Sequence, residues 1–350
     1  MEHNDDSSLP KELMIEILLR LPPKSLGRFK LVCKKWFSTI NSFSFSVQHA
    51  LHQNHANNAS NLCLAFAHEI ETKRRLSYYA LEAMQTVLLQ HYYAPLIDQL
   101  IPMKTIRVDS TCNGLVFFSD LNLAKWGLWN PTTGQAKILP SSSFQALDES
   151  LSPRWYNCKH VGFGFDTKSM DYKVVMIHKL FIGSDTVVVE IYSLEKNSWT
   201  TIATYSHEVL QINHWCFGVF SNGMISWKAS YYKEKDGRTL HDKIIMLDMS
   251  SGTIITTLFP STVSDLHPSS KSNKRDCLVF KESLTLVHCY DSTSWSRKTF
   301  DIWVLGKYGD NESWKKIFTI APVQRVGRVL GFLGDGKVFA KKILQEEICA

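Results

Sequence analysis

One pattern recurs along the last two thirds of the chain and limits what it can fold into. An apolar strand-like run, a turn, and a second run carrying Trp or an aliphatic residue return at Leu128–Leu139, Glu190–Ile202, Ile245–Ile255 and Ile302–Ile317. The three later copies start 55 to 57 residues apart, and the third has no Trp. Leu76–Glu82 reads as a degenerate earlier copy. Further strand-like runs follow Asn113-Gly114, Asn222-Gly223 and Asp335-Gly336. These dipeptides suit the positive φ angles of tight hairpins. A unit of this kind cannot bury both its faces alone, whereas a ring of them can, and radial repetition also protects strand edges. A kelch-like β-propeller is therefore expected over residues 61–350, with a β-sandwich as the alternative.

The first fifty residues carry a different period. Ser8 is placed to cap a helix, with Pro10 in its first turn, where a missing N–H costs little. Leu13, Ile17, Leu18 and Leu21 follow at helical spacing, and Pro22-Pro23 ends the run. A second helix is expected from about Ser25, with Leu26, Phe29, Val32 or Cys33, Trp36 and Ile40 on its apolar side. A unit this short is marginal by itself and has to pack on the rest of the chain or on a partner. Six basic residues and no acidic one lie between Arg20 and Lys35. That fits either a solvated helix face or a surface that meets an acidic partner. The polar residues 51–60 read as a linker, which gives three segments: 1–50, 51–60 and 61–350.

The N-terminal residues carry a resemblance. Leu9-Pro10-x-Glu12-Leu13, Ile17-Leu18-x-Arg20-Leu21-Pro22-x-Lys24-Ser25-Leu26 and Arg28-Phe29-Lys30-x-Val32-Cys33-Lys34-x-Trp36 run in order and without gaps. Together they resemble an F-box. The resemblance implies docking to the small acidic Skp-type linker subunit of a cullin–RING ubiquitin ligase, and through it to the cullin. By position, Leu9, Pro10, Ile17, Leu18, Leu21, Pro22, Leu26, Val32, Cys33 and Trp36 are implied to form the docking surface or to support it. Cys33 is expected to be a small buried hydrophobe. Further on, Leu128-Trp-Asn-Pro131, Gly162-Phe-Gly-Phe-Asp166, Asp171-Tyr-Lys-Val-Val175, Phe300-Asp-Ile-Trp303 and Glu312-Ser-Trp314 resemble the plant F-box-associated, kelch-type domain. That pattern normally continues with another strand pair after Phe339. The expectation is either a ring closed with fewer strands or an incomplete last blade. The implied role is that of a non-catalytic adaptor that selects target proteins for ubiquitination.

The remaining chemistry is sparse. The net charge of +6 over 350 residues does not call for nucleic acid. The eight Cys form no C-x-x-C pair, the polar acidic start has no signal-peptide character, and no apolar run reaches membrane-span length. A soluble protein with free thiols, cytoplasmic or nuclear and without cofactor or metal, is expected. Gly331–Lys337 fits a phosphate-loop spacing but lacks the following Ser or Thr, so it reads as a hairpin turn. His49, His52 and His55 read as a solvated helix end rather than a zinc site. His288 and Cys289 are neighbours on a strand and point to opposite faces.

Target capture is expected on the long inter-strand segments, with Trp155, Tyr156, Trp215, Tyr231 and Tyr232 as candidate anchors, since Trp and Tyr dominate binding hot spots. Packing between blades is the competing role for these aromatics. A non-degradative protein- or glycan-binding propeller, and less so a propeller enzyme, are the rival functions.

Overall fold

The computed structural model describes residues 10–56, 61–70, 73–82, 92–93, 106–120, 125–131, 135–142, 158–179, 186–206, 216–232, 240–264, 273–291, 297–324, 326–332 and 338–342. Ser8, Leu9, Trp155, Tyr156, Trp215 and the Asp335-Gly336 turn lie outside them. The chain divides into two compact units, Met1–Leu139 and Pro140–Ala350.

The first unit opens with four helices: α1 (Lys11–Leu19), α2 (Pro23–Phe29), α3 (Lys34–Asn41) and α4 (Phe43–Ala56). Pro22-Pro23 ends one helix as expected and also starts the next, with Pro23 in the first turn of α2. The single second helix expected from the apolar spacing is broken in two. Leu31 and Val32 close tight turns onto the carbonyls of Arg28 and Phe29, and Cys33 is fully extended. Its Sγ then accepts a hydrogen bond from the Trp36 N–H at 3.4 Å, which caps α3. Helix α4 runs to Ala56, so the first six residues of the expected linker are helical.

Two sheets complete this unit. Strands β1 (Asn61–Ile70), β2 (Lys73–Glu82) and β3 (Tyr92–Tyr93) form an antiparallel sheet. Strands β4 (Ile106–Cys112), β5 (Leu115–Asp120), β6 (Lys125–Trp129) and β7 (Ala136–Ile138) form a four-stranded meander.

The second unit repeats that meander. Its first sheet holds β8 (Cys158–Asp166), β9 (Asp171–Lys179), β10 (Thr186–Ser193) and β11 (Ser198–Ser206), with β12 (Cys216–Phe217) added parallel to β8. The next holds β13 (Val219–Ser221), β14 (Met224–Tyr232), β15 (Leu240–Asp248) and β16 (Ile254–Leu258). The third holds β17 (Asn273–Phe280), β18 (Ser283–Asp291), β19 (Arg297–Leu305) and β20 (Trp314–Gln324). A two-stranded sheet of β21 (Val326–Phe332) and β22 (Val338–Lys342) follows. The repeat seen in the sequence is thus the second hairpin of each four-stranded sheet: β6–β7, β10–β11, β15–β16 and β19–β20.

These sheets are buried on both faces. Ile245 and Leu247 pack with Val175, Val189 and Ile191 of the sheet before, while their neighbours Ile244 and Met246 pack with Leu284 and Leu286 of the sheet after. Val287 and Phe300 then meet Val329 of β21. A two-layer sandwich leaves an outer face polar, so its strands alternate. Continuous runs such as Ile244-Ile245-Met246-Leu247, all fully buried, need a neighbour on each side. This face-to-face stacking is the propeller arrangement.

The Gly162-Phe-Gly-Phe-Asp166 motif makes that stacking close. A Cβ on Gly162 would sit 2.4 Å from Ile225 Cγ2, and one on Gly164 would sit 2.2 Å from the Phe220 ring. Phe163 and Phe165, on the other face of β8, pack on Tyr172. The flanking carboxylates lock turns. Asp166 accepts hydrogen bonds from the Lys168 N–H, Ser169, Lys173 and Ser250. Asp171 accepts them from Ser193 and from the Glu195 N–H. Asn113-Gly114 and Asn222-Gly223 adopt positive φ at both residues, as their hairpins require. The repeated Trp is a bolt between repeats: Trp199 Nε1 donates to the Pro140 carbonyl at 2.7 Å, and Trp314 Nε1 to the Leu258 carbonyl at 3.0 Å.

Candidate docking site

The helical segment has a small core of its own. Met14, Leu18 and Leu19 of α1, Leu26 of α2, Ile40 of α3 and Phe45 of α4 are buried together, with Ile15, Leu21, Phe29 and Trp36 packed on them. Phe29 and Trp36 meet edge to face at 5.3 Å. His49 of α4 belongs to this core rather than to a solvated helix end. It is buried, stacks on Phe45, and lies with Nε2 2.7 Å from the Leu21 carbonyl. A carbonyl only accepts, so Nε2 carries the proton in this contact. The bond ties α4 to the chain leaving α1.

What this core leaves outside is unusual. Half of the exposed large apolar side chains among the described residues fall between Leu13 and Phe37: Leu13 at 53%, Ile17 at 49%, Leu31 at 86%, Val32 at 59% and Phe37 at 53% exposure. Single exposed apolar side chains are ordinary, whereas five within one short helical unit make it the candidate for an interaction surface. Arg20, Arg28, Lys34 and Lys35 are exposed around it. Arg20 reaches Glu16 at 3.6 Å on the surface, a contact that contributes little.

The ten residues implied by the F-box resemblance sort into two groups. Leu18 and Leu26 are buried, and Leu21 and Trp36 are half-buried against the core, so all four support the unit. Pro10, Ile17, Pro22, Val32 and Cys33 are exposed. Leu9 lies outside the described residues. Cys33 therefore departs from expectation: in the free chain it is an exposed helix cap, because its extended backbone aims Sγ at the Trp36 N–H. Leu13, Leu31 and Phe37 are exposed as well, although the resemblance did not imply them as docking residues. Helical spacing and the F-box run already include Leu13, but nothing local marks Leu31 as outward-facing.

On the target side, Tyr231 and Tyr232 are not in a loop. They extend β14, in register with His241 and Leu240 of β15. Several ionisable groups are buried in the second unit. His178 and Glu190 pair at 3.0 Å. Arg275 of β17 reaches Asp242 of β15 at 2.7 Å and the Val263 carbonyl at 2.8 Å, which joins two neighbouring sheets. Across one sheet, His288 stands between Arg275 and Asp301 in register. Burial first, then the Arg275 and Lys316 charges, lower its pKa against the pull of Asp301. Asp242 and Asp301 serve salt bridges, to Arg275 and Lys316. Among the described residues no group of three or more His, Cys, Asp or Glu is disposed to hold a metal ion, and no helix is long and apolar enough to cross a membrane.

Comparison with known families decides the identity of both parts. Residues 7–48 match the F-box domain, and residues 80–343, well over half of the chain, match the F-box associated beta propeller domain. The chain belongs to the plant F-box proteins with an F-box-associated β-propeller. An F-box/kelch-repeat protein of Arabidopsis thaliana is 27% identical over 95% of this chain and 84% of its own length. F-box protein CPR1 of the same plant is 26% identical over 90% of this chain and 73% of its own. Likeness to solved structures is weaker: an apocarotenoid oxygenase of Synechocystis covers 81% of this F-box protein and 64% of that chain at 11% identity and a TM-score of 0.36.

Proposed function

We propose that this F-box protein is a substrate-selecting adaptor of a Skp–cullin–F-box ubiquitin ligase, without catalytic chemistry of its own. Residues 1–50 dock on the acidic Skp-type linker subunit, and residues 61–350 capture a target protein. Ubiquitin transfer is then a matter of effective concentration, since the target is held near the ubiquitin-carrying enzyme. Cytoplasm and nucleus are the compartments in which it works. The observation that supports this reading is the set of exposed apolar side chains Leu13, Ile17, Leu31, Val32 and Phe37 on the F-box, with exposed Arg28, Lys34 and Lys35 beside the last three. Such a face matches an acidic partner with apolar pockets in both chemistry and charge.

The direct test is binding of a purified plant Skp-type linker subunit to the intact chain. Binding is expected, and Ile17→Asp and Val32→Asp are expected to abolish it while leaving the fold intact, because both side chains already face solvent. An intact, folded chain that does not retain the linker subunit refutes the proposal.

A further inference from the structure

We infer that the outer part of the seam between the four-stranded sheet β17–β20 and the two-stranded sheet β21–β22 binds an acidic segment of the target protein around one apolar side chain. The inference deepens the adaptor reading and rests on it for the partner being a target. Two cross-strand rows on the facing side of β17–β20 show where the seam is open. Val287 and Ile302 are buried, and Phe318, next in register on the outermost strand, is partly exposed. Cys289 and Phe300 are buried, and Ile320 beyond them is partly exposed. The cause is the width of the opposing sheet. Val329 of β21 covers the middle of the larger sheet, and no described strand follows β22 to cover β20. In the seam before, the outermost strand β16 is covered: Thr257 is buried, and its Oγ1 accepts the Gly309 N–H from the β19–β20 connection.

Three phenylalanines gather in the open part. Phe280, Phe318 and Phe332 meet edge to face with centroids 5.1 to 6.5 Å apart, and each is partly exposed. Such a cluster is a seat for a partner's apolar side chain. Its surroundings are basic. Between Asn273 and Lys342 there are thirteen Lys and Arg against seven Asp and Glu, an excess of six that equals the net charge of the whole chain. Lys281 is exposed, with Nζ 5.4 Å from the centroid of the Phe280 ring. Lys315 is exposed on the same face as Phe318, since their register partners Val304 and Ile302 are two residues apart on β19. Arg328 is held by Asp276 through two bonds of 3.0 Å, whereas among the described residues neither Lys281 nor Lys315 is in an ion pair. A second copy of this chain would bring like charges together, and an acidic segment complements them. Edge-to-face packing and the Lys281 ammonium occupy ring faces that base stacking would need, so a protein segment fits better than single-stranded RNA.

The experiment selects binders of the intact chain from a synthetic library of random peptides and measures the affinity of the best by fluorescence anisotropy. The selected peptides are expected to carry several Asp or Glu around one aromatic or aliphatic residue. Lys281→Glu and Lys315→Glu are each expected to weaken them on the order of tenfold, and Lys196→Glu, an exposed control on the β10–β11 turn, to leave them unchanged. Phe332→Ser is expected to weaken them as well, with circular dichroism and the thermal midpoint checking its fold. No enrichment, enrichment without acidic residues, or both lysine variants within about twofold of the parent overturns the inference. So does an oligouridylate RNA that binds the same site more tightly than the peptides, or a dimer of the free chain that the lysine variants convert to monomer. So does peptide binding that appears only when residues 343–350, which include Glu346 and Glu347, are removed, because the seat then belongs to the chain itself. Binding of the Skp-type linker subunit is measured on the same preparation. If the linker subunit binds and the peptide outcomes fail, this inference alone falls; if acidic peptides bind at the site and the linker subunit does not, the adaptor reading falls and the surface stands.

Discussion

Replacing Arg275 by Met would break the tie between two neighbouring sheets of the propeller. Arg275 and Asp242 are almost fully enclosed, at 1% and 2% side-chain exposure, and their N–O distance is 2.7 Å. Removing one member of such a pair leaves the other as an uncompensated buried charge, which costs about 3–5 kcal/mol. Two local features set where in that range the loss falls. Lys228 Nζ lies 3.6 Å from the same Asp242 oxygen and is partly exposed, so it compensates in part. The Val263 carbonyl loses its donor, which adds to the loss. Met keeps an apolar contact with Phe259, over whose ring the guanidinium now sits at 6.0 Å. The expected loss is about 3 kcal/mol. With a urea dependence of about 3 kcal/mol per molar, the unfolding midpoint falls by about 1 M. Tryptophan fluorescence during urea unfolding of the intact chain reads this directly. The double variant Asp242→Leu with Arg275→Met removes both charges and is expected to recover most of the loss. An unchanged midpoint for Arg275→Met, or a double variant weaker than the single, refutes the reasoning.

The other predictions follow from equally local geometry. Trp314→Phe keeps the ring but loses the donor to the Leu258 carbonyl, and is expected to cost about 1 kcal/mol in the same assay. Gly162→Ala brings a Cβ within 2.4 Å of Ile225 and 2.9 Å of the Trp227 ring, and overpacking there is expected to cost about 1–3 kcal/mol. Two groups give opposite pH dependences. Burial pushes Asp109 from 3.8 up to about 7 against the pull of Ser119 and Arg107, so the folded chain favours its protonated form. The associated stability is fully present below pH 4 and is lost as pH rises towards 7, and Asp109→Asn is expected to unfold later than the parent at pH 8. Burial and the Arg275 charge lower the His288 pKa from 6.5, so its contribution is present above pH 6.5 and is lost as pH falls below it; His288→Phe is expected to flatten that acid limb in pH-resolved melts.

The parts of the fold that could be read in advance are those whose cause is local or periodic. Asn-Gly at 113 and 222 announces a hairpin because the dipeptide itself supplies the positive φ angles. Ile244–Leu247 announces a strand covered on both sides because every side chain in it is apolar. The repeated Trp marks a period because in two of the copies its indole N–H makes the same kind of bond, Trp199 to the Pro140 carbonyl and Trp314 to the Leu258 carbonyl. What escaped was set by contacts distant in sequence or by a backbone choice that composition does not force. Arg275 and Asp242 are 33 residues apart, and neither residue type predicts a buried pair. His49 looks like a solvated helix end until the Leu21 carbonyl, 28 residues earlier, is brought against it. The break between α2 and α3 has neither Gly nor Pro to signal it and depends on Cys33 adopting an extended backbone.

The docking face shows the same limit in its most useful form. Ile17 and Leu18 are equally apolar and adjacent in one matching motif, so the motif alone gives them one role. On a helix, adjacent residues project about 100° apart, and here one is half exposed while the other is wholly buried. Substitution of Leu18 therefore tests the stability of the F-box, whereas substitution of Ile17 tests docking, and a loss of binding means different things in the two cases.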